Sequence, residues 1–111
     1  MKVAAMKYYI LEGNMKPDIP QGPEFKTLLD AHHAFMDPYF EAGKILTSGP
    51  VIGGRGGVIL LRLEDHENVE DFIAKDPFAQ SGIQEYWIIQ FNVFQIQDYA
   101  KTWTEQKNEK A

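Results

Sequence analysis

One stretch of the sequence, residues 30–50, restricts the possible folds more than any other. It contains the second half of an amphipathic helix, a glycine that stops the helix, and a strand. Pro23 suits the first position of this helix. Gly43 suits its end, because glycine tolerates the left-handed cap conformation. Apolar residues recur at spacings of three and four, as on one face of a helix. Together with His32, this stripe comprises Phe25, Leu28, Leu29, Met36, Tyr39 and Phe40.

Prolines complicate the ends and the middle of this helix. Residues 14–23 contain three prolines and predict a loop before it. Pro38 lies inside the helical pattern, where a proline removes a backbone hydrogen bond. We therefore expect either a kink at Pro38 or a helix restart with Asp37 as its N-cap.

Strand patterns lie on both sides of the helix. A second helix is expected to begin at Asp65 as its N-cap and to close at Asp76-Pro77. Four segments are rich in apolar and β-branched residues and are bounded by turn signals: 3–11, 44–52, 57–63 and 84–96. The order βαββαβ predicts an α+β fold of the ferredoxin-like type, with a four-stranded antiparallel sheet and both helices on one face.

The last strand pattern predicts an assembly. Successive strand residues point to opposite faces, and both faces here are apolar. Tyr86, Ile88, Phe94 and Ile96 point one way, and Trp87, Ile89, Phe91 and Val93 the other. A sheet with helices on only one face should expose polar residues on the other face. We therefore predict a homodimer through the helix-free sheet face, whose two sheets form a dimeric α+β barrel.

Composition limits the class of protein. The 111 residues predict one domain over residues 1–97 and a C-terminal tail over 98–111, in which Tyr99 and Trp103 suggest a short helix. A net charge of −5 argues against a nucleic-acid partner. No apolar run is long enough to cross a membrane. The absence of cysteine, and of a secretory signal pattern, favours a cytoplasmic protein.

His32 and Asp76 are the candidate catalytic residues. An imidazole can give or take a proton near neutral pH. A carboxylate from the second helix, on the same sheet face, can orient the ring for proton transfer. Each residue also has a structural alternative. His32 can be a core histidine bonded to a backbone carbonyl, and Asp76 can be a cap of the turn at Pro77.

Further residues are candidates for a substrate pocket. A proline near a strand end marks an edge or a bulge and opens room beside it. Arg55 lies in a glycine-rich loop and could bind an anionic group, although the loop lacks the lysine of a nucleotide-binding motif. His33 and Asp37 have the spacing of two metal ligands, but Pro38 disturbs the helix there and no metal is predicted. The predicted pocket residues are Gly49, Pro50, Arg55, Phe78, Tyr8 and Phe35, of which the aromatic ones would form an apolar wall.

The ordered set of these features resembles the YCII-related family of the dimeric α+β barrel superfamily, over about residues 3–96. The residues that carry the resemblance are His32, Gly43, the segment KILTSGP, Gly56-Gly57, Asp76-Pro77-Phe78 and Gly82. It implies a homodimer and an active site in which the family's histidine and aspartate fall on His32 and Asp76. Gly49, Pro50 and Phe78 fall on positions that shape the pocket. The neighbouring His33 departs from the pattern, and the helix phase favours His32 as the working residue.

These observations favour a cofactor-independent enzyme. The pair His32 and Asp76 would perform acid–base chemistry, such as isomerisation or elimination, on a small anionic or aromatic molecule. A non-catalytic small-molecule-binding or regulatory homodimer would use the same pocket. The wider superfamily also includes haem-binding and oxygen-using members, in which His32 would be an axial ligand. This alternative ranks last, because an axial ligand does not require a paired aspartate.

Overall fold

A computed structural model describes residues 5–104. The chain forms a four-stranded antiparallel sheet in the order β2-β3-β1-β4, as in ferredoxin-like folds. The strands are β1 (Met6–Met15), β2 (Ile45–Pro50), β3 (Gly57–Glu64) and β4 (Gln84–Phe91). The helices are α1 (Pro23–Glu41), α2 (Val69–Ala74) and α3 (Pro77–Gln80). The predicted βαββαβ order is confirmed, with the second helix divided into α2 and α3.

The core lies between one face of the sheet and the helices. The central strand β1 pairs with both neighbours, through Tyr9 opposite Leu61 and Leu11 opposite Ile88. β1 extends to Met15, beyond its predicted end, because β4 continues to pair with it there. Alternate residues of β1 and β3 enter the core. The buried core cluster comprises Tyr9, Leu11, Ile45, Ile59, Leu61, Leu63, Val69 and Phe72.

Helix α1 runs through Pro38 without a restart. Gly22 precedes it, Pro23 opens it, and Gly43 follows its end with a φ of 79°. The carbonyl of Pro38 accepts a hydrogen bond of 2.9 Å from the N–H of Ala42, which continues the helix past the proline. No residue of α1 is fully buried. Phe40 of the predicted stripe is exposed, and the other members of the stripe are partly buried. This helix therefore does not close tightly on the sheet.

The second helix begins later than predicted. Asp65 is not its N-cap, because the N–H of Asp65 donates to the carbonyl of Ala5 at 3.0 Å, beside the pairing of β1 with β3. Asn68 caps α2 instead, and its side chain accepts from the N–H of Glu70 at 2.7 Å. The turn between β3 and α2 therefore occupies the positions predicted as the first helical turn.

The last strand is shorter than predicted. Its pairing ends at Phe91, opposite Tyr8, and residues 92–97 have no regular structure. A 3₁₀ helix then spans Asp98–Trp103 in the predicted tail, and the indole N–H of Trp103 donates to the carbonyl of Gly43 at 2.9 Å. The rest of the tail, 105–111, lies outside the described residues, as do residues 1–4. Within the described part, no helix has the length and apolarity needed to cross a membrane.

Candidate active site

A cavity of about 560 Å³ lies between the first half of α1 and the sheet. Its presence explains why the apolar stripe of α1 is only partly buried. Helix α1, Phe78 of α3, the ends of all four strands and the loop between β2 and β3 contribute to its wall. Among its lining residues are Phe25, Leu29, His32, His33, Met36, Ser48, Gly49, Pro50, Val51, Gly56, Phe78, Gln84 and Tyr86. The predicted pocket residues Gly49, Pro50 and Phe78 therefore lie at this cavity.

His32 and Asp76 meet at the cavity. Nδ1 of His32 lies 2.8 Å from Oδ1 of Asp76. The Asp76 carboxylate has no solvent-exposed surface, whereas the His32 side chain keeps 13% of its surface exposed. Asp76 is also the N-cap of α3, and its Oδ1 accepts from the N–H of Phe78 at 3.1 Å. The same carboxylate therefore caps α3 and contacts His32. The capping hydrogen bond fixes the direction of its oxygens, and Oδ1 then faces the ring of His32.

Tyr86 completes this group from β4. Its hydroxyl donates to Oδ2 of Asp76, so three donors surround the carboxylate. An ionised carboxylate only accepts hydrogen bonds and can satisfy all three. Nδ1 of His32 then carries the proton in the neutral ring, and Nε2 holds the lone pair. Among the described residues, only Nδ1 of this ring is hydrogen-bonded, so Nε2 is available to a molecule in the cavity.

Phe78 fixes the plane of the imidazole. The two rings are stacked, with centroids 4.2 Å apart and an interplanar angle of 9°. On its other side Phe78 lies near Phe25, with centroids 6.0 Å apart. The ring of His32 is thus held by a hydrogen bond at one edge and by an aromatic face. This arrangement limits its rotation and keeps Nε2 in one direction.

The sequence pattern of the YCII-related domain matches residues 6–92. This chain belongs to the YCII-related family. A solved structure of similar fold is 5-chloro-2-hydroxyhydroquinone dehydrochlorinase from Burkholderia phenoliruptrix AC1100, in complex with 2,5-dihydroxybenzoquinone. The TM-score is 0.59 at 19% sequence identity, over 77% of this chain and 93% of that chain. This likeness shows the fold, which is α+β of the ferredoxin-like type. No curated protein matches the chain.

Three predicted pocket residues of this YCII-related protein lie elsewhere. Tyr8 is on the opposite sheet face, where its ring packs against Trp103 at a centroid distance of 5.4 Å. Phe35 packs in the core against Phe72, with centroids 5.1 Å apart. The guanidinium of Arg55 donates to the carbonyl of Pro17 at 2.8 Å. These three side chains therefore point away from the cavity. The strand alternation does this for Tyr8, the helix periodicity for Phe35, and a hydrogen bond to the backbone for Arg55.

His33 also lines the cavity, but in a different environment. It is exposed, and its ring lies 5.8 Å from that of His32 between centroids. It makes no contact with Asp76 among the hydrogen bonds of residues 5–104. Nor does any group of three or more His, Cys, Asp or Glu within those residues form an arrangement that could hold a metal ion. The two neighbouring histidines therefore differ in their support, and only His32 has a carboxylate partner.

Tyr86 and Gln84 were not among the predicted site residues. Both precede the apolar part of β4 and share the helix-side face of the sheet. Their spacing of two residues, on a strand that follows Asp76, was the signal in the sequence that could have placed them on the same face as the site. A tyrosine at such a position reads as core, because its apolar ring fits the alternation of the strand. The contact with Asp76 depends on how α3 sits beside β4, which the sequence does not express.

Burial of Tyr86, and then its hydrogen bond to the negative Asp76, raise the pKa of its hydroxyl well above the usual value of 10.0. The folded state therefore holds this proton more tightly than the unfolded state does. The resulting stabilisation is complete below pH 10.0 and is lost progressively as the pH rises above it. Its loss amounts to about 1.4 kcal/mol for each pH unit in this range.

We expect Tyr86→Phe to remove this alkaline dependence. The free energy of unfolding, measured in urea on either side of pH 10.0, should fall less steeply in the variant than in the wild type. Tyr99→Phe is the matched control, since the Tyr99 side chain is exposed, and it should keep the wild-type slope. Equal slopes in all three proteins would contradict the expected role of the Tyr86 proton.

Proposed function

We propose that this protein is a cofactor-independent enzyme that uses His32 and Asp76 for acid–base chemistry on a small molecule. The observation that supports it best is the contact of 2.8 Å between Nδ1 of His32 and the fully buried Asp76, at the wall of a cavity. A buried carboxylate that holds Nδ1–H leaves Nε2 as a general base. Because Asp76 is fully buried, its pairing with the imidazolium that forms is stronger than it would be in water.

The proposed reaction begins with proton transfer to Nε2 of His32 from a C–H or O–H group of the substrate. Asp76 then faces an imidazolium and stabilises its charge. In an isomerisation the same nitrogen returns the proton to another atom of the substrate. In an elimination the electron pair left by the proton forms a double bond while a leaving group departs with its electrons. The proton then passes from the imidazolium to solvent.

The family and its fold are compatible with this chemistry. The protein of similar fold is a dehydrochlorinase, and a dehydrochlorination removes a proton and a chloride from one molecule. We therefore rank elimination beside isomerisation as the proposed reaction. A cytoplasmic location is proposed with it, supported by the absence of cysteine in the sequence.

A metabolite screen tests this proposal. Small molecules that raise the melting temperature of the wild type are incubated with it, and the products are analysed by mass spectrometry and NMR. In D₂O, an isomerisation should place deuterium at the atom that receives the proton, and an elimination should give a product that has lost the proton and the leaving group. A ligand that binds but is returned unchanged and without deuterium would favour the non-catalytic binding alternative.

We also propose that the protein is a homodimer through the sheet face opposite α1, α2 and α3, at the part that the 3₁₀ helix Asp98–Trp103 leaves open. Large apolar side chains of this face are open to solvent in the single chain, with Trp87 67% and Ile89 54% exposed. Val58 on β3 adds to the same surface. Large apolar side chains exposed together on one face are typical of a protein interface. A second copy of the chain can cover this face in a two-fold contact, in which each copy uses the same surface.

Ile89→Asp should convert the dimer to a monomer, since a carboxylate buried in an apolar interface loses its hydration. Size-exclusion chromatography with light scattering, at equal protein concentrations, measures the mass. Ile52→Asp is the matched control, because Ile52 lies at the loop between β2 and β3 and is fully exposed. A monomeric wild type, or a dimeric Ile89→Asp variant, would count against this interface.

A further inference from the structure

The lining of the cavity indicates the charge of the molecule that it takes. Of the described residues that line it, none is Lys, Arg, Asp or Glu. Most are apolar or glycine, and the polar side chains are those of His32, His33, Ser48, Gln84 and Tyr86. An anionic group that left water for this cavity would find imidazole as its only source of positive charge. Such a transfer is unfavourable without a paired cation.

Three cations are adjacent in sequence to residues of the cavity wall, and none of them lines the cavity: Lys16, Lys26 and Arg55. Arg55 belongs to the loop that forms part of the wall, but its guanidinium donates to the carbonyls of Lys16 and Pro17 at 3.2 and 2.8 Å. Lys26 on α1 pairs with Asp30 at 2.8 Å on the exposed side of the helix. Neither side chain is among those that line the cavity. Of the two kinds of molecule considered from the sequence, anionic or aromatic, the lining therefore favours an aromatic molecule without a charge.

Gln84 is a polar residue of the lining with an unsatisfied hydrogen-bond acceptor. Its side chain is 95% buried, being 5% exposed. The Oε1 atom is the one buried side-chain polar atom of residues 5–104 without a hydrogen-bond partner. An unpaired buried acceptor is unfavourable and is unusual in a folded protein. A bound molecule that supplies a donor at this point would remove the cost.

Two glycines leave the space that the amide of Gln84 occupies. A methyl group at Gly13 would lie 2.6 Å from Cδ of Gln84, which is too close. A methyl group at Gly56 would lie 3.2 Å from Oε1 and would also collide with the carbonyl of Gly13. Gly56 has a φ of 97°, a conformation that favours glycine. The amide is thus seated in a slot between β1 and the β2–β3 loop, and its soft terminal torsion lets it turn toward a ligand.

We propose that the cavity takes an uncharged, largely apolar molecule, and that Gln84 recognises a hydroxyl group on it. Oε1 accepts from that hydroxyl, while the aromatic and aliphatic wall buries the remainder of the molecule. This inference rests on the proposed function in taking the cavity as the substrate site. It adds the class of substrate and the residue that selects it.

Three matched probes test the charge and the hydroxyl separately: 2-naphthol, 2-naphthoate and naphthalene. At pH 7 the first carries a neutral hydroxyl, the second is an anion, and the third has no polar group. Dissociation constants are measured by ligand-observed NMR with the wild-type protein. We expect 2-naphthol to bind at least about tenfold more tightly than either of the others. Equal or tighter binding of 2-naphthoate, or no binding of any probe, would overturn the inference.

The variant Gln84→Met tests the residue. It keeps the length of the side chain and removes the amide, so the affinity for 2-naphthol should fall about tenfold while that for naphthalene stays the same. Gln90→Met is the matched control on the same strand, since Gln90 is exposed, and it should change neither. An equal loss for both probes, or no loss, would overturn the role of Gln84. The comparison of probes in the wild type remains decisive if Gln84→Met does not fold.

The outcomes also separate this inference from the proposed function. A hydroxylated neutral molecule that binds through Gln84 and is never turned over would remove the proposed function and leave the inference intact. Turnover of an anionic substrate that depends on His32 would do the opposite.

Discussion

Replacement of His32 by asparagine is expected to lower the turnover of the substrate found by screening by about 10²–10⁴-fold. The amide nitrogen of asparagine can occupy the place of Nδ1 and donate to Asp76, so the buried carboxylate stays paired. No group remains at the position of Nε2, and the proton has no acceptor. The melting temperature and the mass of the assembly should therefore stay close to the wild type, and kcat should fall.

Two other histidine variants accompany this one. His66→Ala is the control for a histidine far from the cavity, since its side chain is 78% exposed, and it should leave kcat unchanged. His33→Ala should lower kcat by less than about tenfold, because no carboxylate within residues 5–104 pairs with His33 to orient it. If His33→Ala carries the larger loss and His32→Asn keeps its activity, the working residue is His33. If neither matters, the acid–base proposal fails.

Replacement of Asp76 by alanine is expected to cost about 3–5 kcal/mol in the free energy of unfolding. Three donors lose their acceptor at once: Nδ1 of His32, the hydroxyl of Tyr86 and the N–H of Phe78. Donors left unpaired in a buried site keep the full cost of their lost hydration. The N-cap of α3 is lost as well, and such a cap is worth about 1 kcal/mol by itself. Urea unfolding at pH 7 measures the effect.

Asp76→Asn separates stability from chemistry. Its Oδ1 can still accept from Phe78 and from His32, and its amide can donate to the oxygen of Tyr86. The variant should lose less than about 1.5 kcal/mol of stability. It has no negative charge for the imidazolium, so kcat should still fall by at least about tenfold. A stability loss below about 1 kcal/mol in Asp76→Ala would mean that the carboxylate is not the centre of this group.

The fold followed from the sequence wherever one local signal decided the outcome. Pro23 and Gly43 bound α1 as predicted, because each acts through its own backbone preference. The four strands were predicted from segments rich in apolar residues and bounded by turn signals. Boundaries were missed where a partner strand decided them. β1 continues to Met15 because β4 lies opposite, and β4 ends at Phe91 with its last pair on β1.

The candidate site was predicted in part for the same reason. His32 lies on the helical stripe, and Asp76 stands before a proline at a helix boundary, so each is visible locally. Tyr8 and Phe35 were predicted at the wall because aromatic residues near a site are plausible liners. The strand phase places Tyr8 on the other face, and α2 draws Phe35 into the core. The positions of these two side chains depend on which helices and strands pack against each other.

By itself, the sequence determined which residues have unusual backbone roles, which faces are apolar and which side chains can exchange protons near neutral pH. Each of these properties belongs to a residue and its near neighbours in the chain. Only the tertiary structure decided that α1 stands off the sheet over a cavity, that Tyr86 joins Asp76, and that Gln84 keeps an unpaired oxygen. These are contacts between residues ten or more positions apart, and they depend on how whole elements pack.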